Sequence, residues 1–219
     1  MHARFHDRKE AGQRLATRLE AYAGRPDVIV LALPRGGVPV GAEVASAIAA
    51  PLDVFVVRKL GVPGQEELAM GALAGNGVRV LDQSIMAASG VTEDQVERIT
   101  RAEQLELERR DRQYRGDRPA PDVKGKTIIL VDDGLATGAS MRAAVMALRP
   151  QQPARIVVAV PVAAPETCEL FRDIADEIIC VETPDPFQAV GLWYEDFSQT
   201  SDAEVRTLLE QHERNHALR

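Results

Sequence analysis

The sequence predicts an α/β protein with a parallel β-sheet core flanked by helices, and three observations carry that prediction. Apolar runs at residues 28–33, 54–57, 128–131 and 156–162, and the run that follows Glu177 in the strand at 177–181, are continuous rather than alternating, as in strands buried on both faces. Helical patterns lie between most of these runs, which is what parallel connections require. Charged and small residues follow the first three runs directly, at the strand C-termini where open α/β sheets bind ligands.

In chain order, residues 7–23 read as an amphipathic helix. Asp7 caps it with Glu10 three residues on, and Ala11, Leu15 and Leu19 share a face. The strand at 28–33 ends in LPRGGVPVG, residues 33–41, and Pro39 suits the first turn of the next helix, with Val40, Val44 and Ile48 inward. The strand at 54–57 runs into RKLGVPGQEELAMG, residues 58–71, where Gly61, Pro63 and Gly64 predict an irregular, mobile loop. Glu66 and Glu67 carry no assignable chemistry. Residues 68–74 and 78–81 flank Gly75-Asn76-Gly77 and predict a hairpin.

Thr92 and Gln95 form a capping box for a long polar helix reaching about Arg115. Glu97–Arg101, Glu106–Arg110, Glu108–Arg112 and Asp111–Arg115 are spaced for helical ion pairs. Residues 97–118 hold seven arginines against six acids, a balance that argues for a solvated helix or a dimer contact rather than an RNA-binding arm. Pro165 opens a helix carrying Leu170, Phe171 and Ile174. The aromatic residues Phe187, Trp193, Tyr194 and Phe197 then cluster before a last helix capped by Ser201 and Glu204.

Length and charge narrow the function. With 219 residues and 45% hydrophobic content, the chain fits a single domain with a substantial core. A net charge of −7 and a pI near 5.2 disfavour nucleic-acid and anionic-membrane partners. The four histidines, His2, His6, His212 and His216, all lie near the ends, so a His-rich metal centre has little to draw on. Cys168 and Cys180 lack ligand spacing and read as small buried residues of a reducing compartment. No run is long enough to span a membrane and no signal-peptide pattern is present, which predicts a cytoplasmic protein.

The chemistry centres on residues 127–142, TIILVDDGLATGASMR. Bare backbone in the loop from Gly134 to Ser140 and the helix start behind it suit a phosphate, with hydroxyls from Thr137 and Ser140 adding bonds of roughly 1.5–3 kcal/mol each to a charged oxygen. Ala139 stands where a Walker motif needs lysine, which disfavours a nucleoside triphosphate. Asp132 and Asp133 repel a phosphate and suit hydroxyls or a metal. A phosphate with a vicinal diol beside it, as in ribose 5-phosphate, satisfies both halves.

VDDGLATGAS resembles the signature of the type I phosphoribosyltransferases, which transfer ribose 5-phosphate from phosphoribosyl pyrophosphate (PRPP) to a nitrogenous base and release pyrophosphate. The resemblance extends over most of residues 28–200. It implies that Asp132 and Asp133 hold the ribose hydroxyls and, directly or through water, Mg2+. It places the 5-phosphate on Ala136, Thr137, Gly138, Ala139 and Ser140. Arg35, Gly36 and Gly37 resemble the pyrophosphate loop. Arg58 and Lys59 match the Arg-Lys-x-Gly-x-x-Pro stretch of adenine-type enzymes and would also take pyrophosphate, under a loop that closes over PRPP. Phe187, Trp193 and Tyr194 resemble the base-contacting part of a purine enzyme's C-terminal hood, although residues 156–165 lack the lysine that contacts a 6-oxo group. The implied organisation is one domain, 1–219, with a core at about 28–182, an inserted helical arm at about 92–118, and a small hood from about 1–23 and 183–219. A homodimer acting on PRPP and a purine-like base in nucleotide salvage is the expected setting. A non-catalytic PRPP-binding regulator and a ribose-phosphate hydrolase are the competing readings. Asp133→Asn is expected to cut turnover far more than stability, and Gly138→Val to block backbone approach to the phosphate.

Overall fold

A computed structural model of the chain describes residues 4–75, 77–116 and 118–217. Asn76 of the expected turn, Asp117 of the arm, His2, and the outermost residues of both hood segments lie outside the described residues. Five parallel strands form the main sheet: β1 (Val28–Ala32), β2 (Leu52–Val54), β6 (Thr127–Val131), β7 (Arg155–Val162) and β8 (Glu177–Glu182), in the order β2-β1-β6-β7-β8. Every residue of β1 and β6 is buried, which is why their sequences do not alternate.

Alternate side chains of these strands feed two cores. On one face Val28, Val30, Ile129, Val131 and Val157 pack with Leu15 and Leu19 of the N-terminal segment and with Val40, Val44 and Ile48 of α2 (Gly37–Ile48). On the other, Leu31, Ile128, Leu130, Ile156 and Val158 meet Met141, Val145 and Leu148 of α5 (Ala139–Leu148), and Phe171 of α6 (Pro165–Ile174). Burying one such side chain contributes about 1.5–3 kcal/mol, so the central strand pair is rigid support for whatever leaves its upper end. No helix among the described residues is long and apolar enough to cross a membrane.

The second sheet corrects the expectation for residues 54–71. The run at 54–57 is not one strand leading into an irregular loop. Strand β2 ends at Val54, and β3 (Val57–Val62) opens a separate antiparallel sheet with β4 (Gln65–Ala74) and β5 (Val78–Leu81). Pro63 and Gly64, the latter at φ +80°, form the tight β3–β4 turn. The pairing register shifts around Gly61, where a Cβ would come within 2.6 Å of the Glu66 carbonyl oxygen. Glycine and proline therefore mark a bulge and a turn here, and the buried Leu60, Val62, Met70 and Ala72 hold the ribbon down. The β4–β5 hairpin occurs where it was expected. A short helix, α3 (Gln83–Ser89), capped by Asp82, links it to the arm.

The arm is likewise more than a solvated helix. Helix α4 (Glu93–Arg115) begins at Thr92 with both halves of the capping box formed, and it buries Val96, Leu107 and Tyr114 against the β3–β4 region and α7 (Asp202–Ala217). Arg115 is 5% exposed. Its Nε donates to Asp53 at 3.1 Å, and Nη1 to Asp111 at 2.5 Å. The Tyr114 hydroxyl donates to Asp202 at 2.6 Å, and burial and that bond together push its pKa up to about 12. Glu106–Arg110 and Asp111–Arg115 form as spaced, whereas Glu97 pairs with Arg79 of β5 instead of with Arg101.

The two ends of the chain meet. α1 (Arg8–Ala16) starts at Asp7, whose side chain accepts from the Glu10 amide at 2.8 Å. It is shorter than the predicted helix, and Leu19 and Tyr22 continue in a 3-10 turn. Phe5 pairs with Tyr194 across a parallel bridge, the Phe5 amide donating to the Trp193 carbonyl at 2.8 Å. Cys168 of α6 and Cys180 of β8 stand side by side, with Cα atoms 7.4 Å apart; packing of α6 on the edge strand brings together two positions whose sequence spacing suggested nothing.

Candidate active site

The site grows from the upper ends of β1 and β6. These strands are neighbours with Ala32 opposite Val131, so the two following loops leave the sheet at one level. The Leu33 amide donates to the Val131 carbonyl at 2.8 Å, carrying the contact into the loops. A Cβ on Gly37 would lie 2.7 Å from the Val131 carbonyl oxygen and 2.9 Å from Asp132 Cα, and one on Gly36 would collide with Asp133 Oδ2. The sequence likens these glycines to a pyrophosphate loop. The structure adds a second necessity: their missing side chains leave the room that the acid loop occupies.

The two acids have different surroundings. Asp132 Oδ1 accepts from the Asp133 amide at 2.9 Å, and no cation pairs with it among the described residues. Burial pushes its carboxyl well above the usual carboxylate range, and the neighbouring Asp133 charge pushes the same way. Asp133 is also raised by burial, but Arg8 opposes that shift. Arg8 Nε donates to Asp133 Oδ2 at 2.8 Å, and only 12% of the Arg8 side chain and 16% of the Asp133 side chain are exposed. Nothing in the local sequence marked Arg8, because its partner lies 125 residues away.

The loop after the acids is tied down from below. Leu135 bridges to Ala163 at the end of β7, and the Thr167 hydroxyl donates to the Ala136 carbonyl at 2.6 Å. Gly138 has φ +70°, and a Cβ there would meet the Phe171 ring at 2.6 Å. It turns the chain against α6 without collision, a steric need that stands beside the ligand approach expected of it. Helix α5 then starts at Ala139 with no side-chain cap from Gly138. Ala136, Thr137 and Ser140 are exposed, and Ala139 half-buried, around that helix end. Such an end presents amide donors and the positive pole of the helix to an anion.

Arg35 is half-buried at the start of the turn and has no ion-pair partner among the described residues. Arg58 and Lys59 are engaged elsewhere. Arg58 Nε contacts Glu103 of α4 at 2.5 Å, and Lys59 Nζ contacts Glu67 at 2.8 Å. Both cations line a cleft of about 640 Å3 between the β3–β4 ribbon and α4, which reaches Ser140 but has none of Arg35, Gly36, Gly37, Asp132 or Asp133 in its walls. The structure thus groups the 35–37 turn with the acids, and Arg58 and Lys59 with the helix start.

The aromatic cluster is divided as well. Phe187 and Trp193 are half-buried, packed beside Phe5, Ala11 and Val162. Tyr194 is 4% exposed, with ring centres of Phe5 at 5.4 Å and Phe197 at 5.0 Å. Its hydroxyl donates to the Asp133 carbonyl at 2.6 Å. Tyr194 therefore supports the acid loop, in contrast to the open stacking surface expected of it. Burial and the nearby Asp133 charge raise its pKa, so the phenol stays a hydrogen-bond donor.

Comparison with known proteins places the chain in a family. The phosphoribosyl transferase domain family matches residues 3–196. A protein of Mycobacterium tuberculosis (strain H37Rv) named "Putative phosphoribosyl transferase Rv0571c" is 44% identical over 213 residues, covering 97% of this chain but 48% of its own length. The chain thus spans about half the length of the curated relatives it matches. The crystal structure of the Thermus thermophilus protein TT1426 is 41% identical, with a TM-score of 0.88 over 95% of this chain and 98% of that one. The AQ2163 protein of Aquifex aeolicus, 13% identical over 92% of this chain and 85% of that one at a TM-score of 0.51, shares the fold. With a sheet, loops and motif that agree with the family match over most of its length, the chain belongs to the phosphoribosyl transferase domain family.

Proposed function

We propose that the chain transfers ribose 5-phosphate from PRPP to a nitrogenous base, with a purine-like acceptor, and releases pyrophosphate. One observation carries this reading: a glycine turn and a half-buried acid pair interlock at the ends of adjacent parallel strands, beside a helix start whose N-cap residue is a glycine. Phosphate and diol, the two chemistries PRPP combines, thus have complementary groups along one loop, residues 132–140. In this reading the 5-phosphate rests on residues 136–140, the pyrophosphate on the 35–37 turn, and the ribose hydroxyls on the acids. The bond between the anomeric carbon and the pyrophosphate oxygen breaks, and a bond from that carbon to the base nitrogen forms as that nitrogen's proton passes to solvent. Negative charge at Asp132 and Asp133 stabilises positive charge developing on the sugar.

Mg2+ fits the donor set. Among the described residues no group of three or more His, Cys, Asp and Glu side chains could cage a metal, while Asp132 and Asp133 supply the one or two carboxylates a magnesium ion takes when it borrows water and substrate oxygens. Held there, directly or through water, it supplies neutralisation of the pyrophosphate charge. Phe187 and Trp193 are the aromatic residues left to face a base, with Tyr194 beneath them as support. Arg58 and Lys59 would reach PRPP only by exchanging their present carboxylate partners.

The test is pyrophosphate release from PRPP and Mg2+ across a base panel, for wild type and Asp132→Asn. We expect base-dependent release, reduced on the order of 100-fold or more in the variant. PRPP binding without release for any base would favour the regulator reading, and release without a base the hydrolase. Asp132→Asn is a cleaner probe than Asp133→Asn, because losing the Asp133 charge strands the poorly exposed Arg8, an expense of about 3–5 kcal/mol for a buried pair.

A further inference from the structure

We propose that Arg8 is a positioning residue of the PRPP site. It fixes the Asp133 carboxylate over the Gly36 turn, joins the N-terminal helix to the sugar end of the site, and leaves Asp132 as the acid open to the ligand. This rests on the PRPP reading above and adds to it a division of labour between the two acids.

Four contacts converge on Asp133. Arg8 Nε holds Oδ2 at 2.8 Å. The same oxygen fills the space over Gly36 where a Cβ would stand. The Tyr194 hydroxyl donates to the Asp133 carbonyl at 2.6 Å, and the Asp133 amide donates to Asp132 Oδ1 at 2.9 Å. Arg8 is itself held at three points. Its Nη1 donates to the Ser198 carbonyl at 2.7 Å, its guanidinium lies 4.0 Å from the Phe197 ring centre, and its backbone begins α1. A planar guanidinium can donate in two directions and stack at once, and an ammonium cannot. Asp133 thus has its orientation set by groups from both ends of the chain, whereas among the described residues Asp132 has only a backbone amide.

One chain of contacts therefore runs from α1 through Arg8 and Asp133 to the Gly36–Gly37 turn. Removing the guanidinium releases the carboxylate from above the turn, so both the diol-facing loop and the turn lose their common reference. Arg8 does this without touching the sugar.

The test measures PRPP affinity with Mg2+ by titration calorimetry, together with steady-state KM and kcat and the thermal midpoint, in wild type, Arg8→Ala, Arg8→Lys and Phe197→Leu. Arg8→Ala is expected to weaken PRPP binding by about tenfold, the scale for losing an outer partner of a ligand-holding side chain. The KM for PRPP should rise while the KM for the base does not, and Arg8→Lys should recover part of the loss. A purely structural role would lower the thermal midpoint and the active fraction and leave the PRPP affinity of the folded protein unchanged; that result overturns the assignment. Should Arg8→Ala not fold, Phe197→Leu decides, since it loosens the guanidinium while keeping the charge: weaker PRPP binding supports the role and wild-type affinity overturns it. Wild-type protein that binds no PRPP would instead overturn the functional reading itself.

Discussion

The two sheets of this protein hold their charged residues in opposite ways. At the end of the parallel sheet, the loop that carries Asp132 and Asp133 is fixed by backbone, through adjacent strands, interlocked glycines and a helix start, and Arg8 then orients the Asp133 carboxylate. On the antiparallel ribbon, Arg58 and Lys59 are fixed by other side chains, Glu103 and Glu67, each of which a ligand could displace. Backbone placement preorganises charge at a standing energetic cost, seen in the raised pKa of both acids. Side-chain placement is inexpensive and exchangeable, because partly exposed pairs are worth about 0–1 kcal/mol. A site with both has one rigid wall and one adaptable wall.

Three substitutions would break or sharpen that contrast. The largest effect is expected from Gly138→Val in the rigid wall. A β-branched residue at φ +70° that also overlaps Phe171 should cost about 3 kcal/mol or more, visible as a large drop in thermal midpoint together with lost PRPP affinity. A variant that kept its midpoint and lost only affinity would assign this glycine to ligand approach alone.

Next comes Asp132→Asn. Because burial raises the folded pKa of Asp132 above its unfolded value, the native state binds the proton more tightly. Stability is then greatest below the ordinary aspartate range and declines as pH rises through the raised value. The amide should remove much of that decline and raise the ligand-free thermal midpoint at neutral pH by about 2–4 °C, the response of a chain this size to about 1 kcal/mol. Thermal scans over pH compare the two proteins, and equal slopes would show that the acid pair is not strained.

The smallest effect is expected in the adaptable wall. Glu103→Gln should change stability by less than about 1 kcal/mol, its pair with Arg58 being partly exposed. It should tighten PRPP binding by less than about fivefold, a fraction of what 1.4 kcal/mol represents. Weaker PRPP binding in this variant would show that Glu103 aims Arg58 rather than restrains it.

The legible parts of the molecule share one property: their cause is local. Continuous apolar runs announced the parallel strands, Thr92 and Gln95 announced the start of α4, and residues 131–140 announced the acid loop and helix entry. Residues 58–64 misled because glycine and proline serve equally well in a loose loop and in a bulged hairpin, and only the pairing with β4 separates the two. Tyr194 misled because an aromatic residue near a site can stack on a ligand or on Phe5 and Phe197, and its own segment does not say which.

By itself the amino-acid sequence determined the α/β core, the order of its elements, and an acid-and-small-residue loop suited to a phosphorylated sugar, because strand burial and helix capping act over a few neighbouring residues. The tertiary structure alone decided that Asp133 is claimed by Arg8 while Asp132 is left open, that Gly36 and Gly37 make room for the acids, and that Arg58 and Lys59 are held by carboxylates. Those outcomes depend on which distant segments the packed sheet brings within hydrogen-bond range, and charge interactions at a few ångströms carry no imprint in the spacing of residues along the chain.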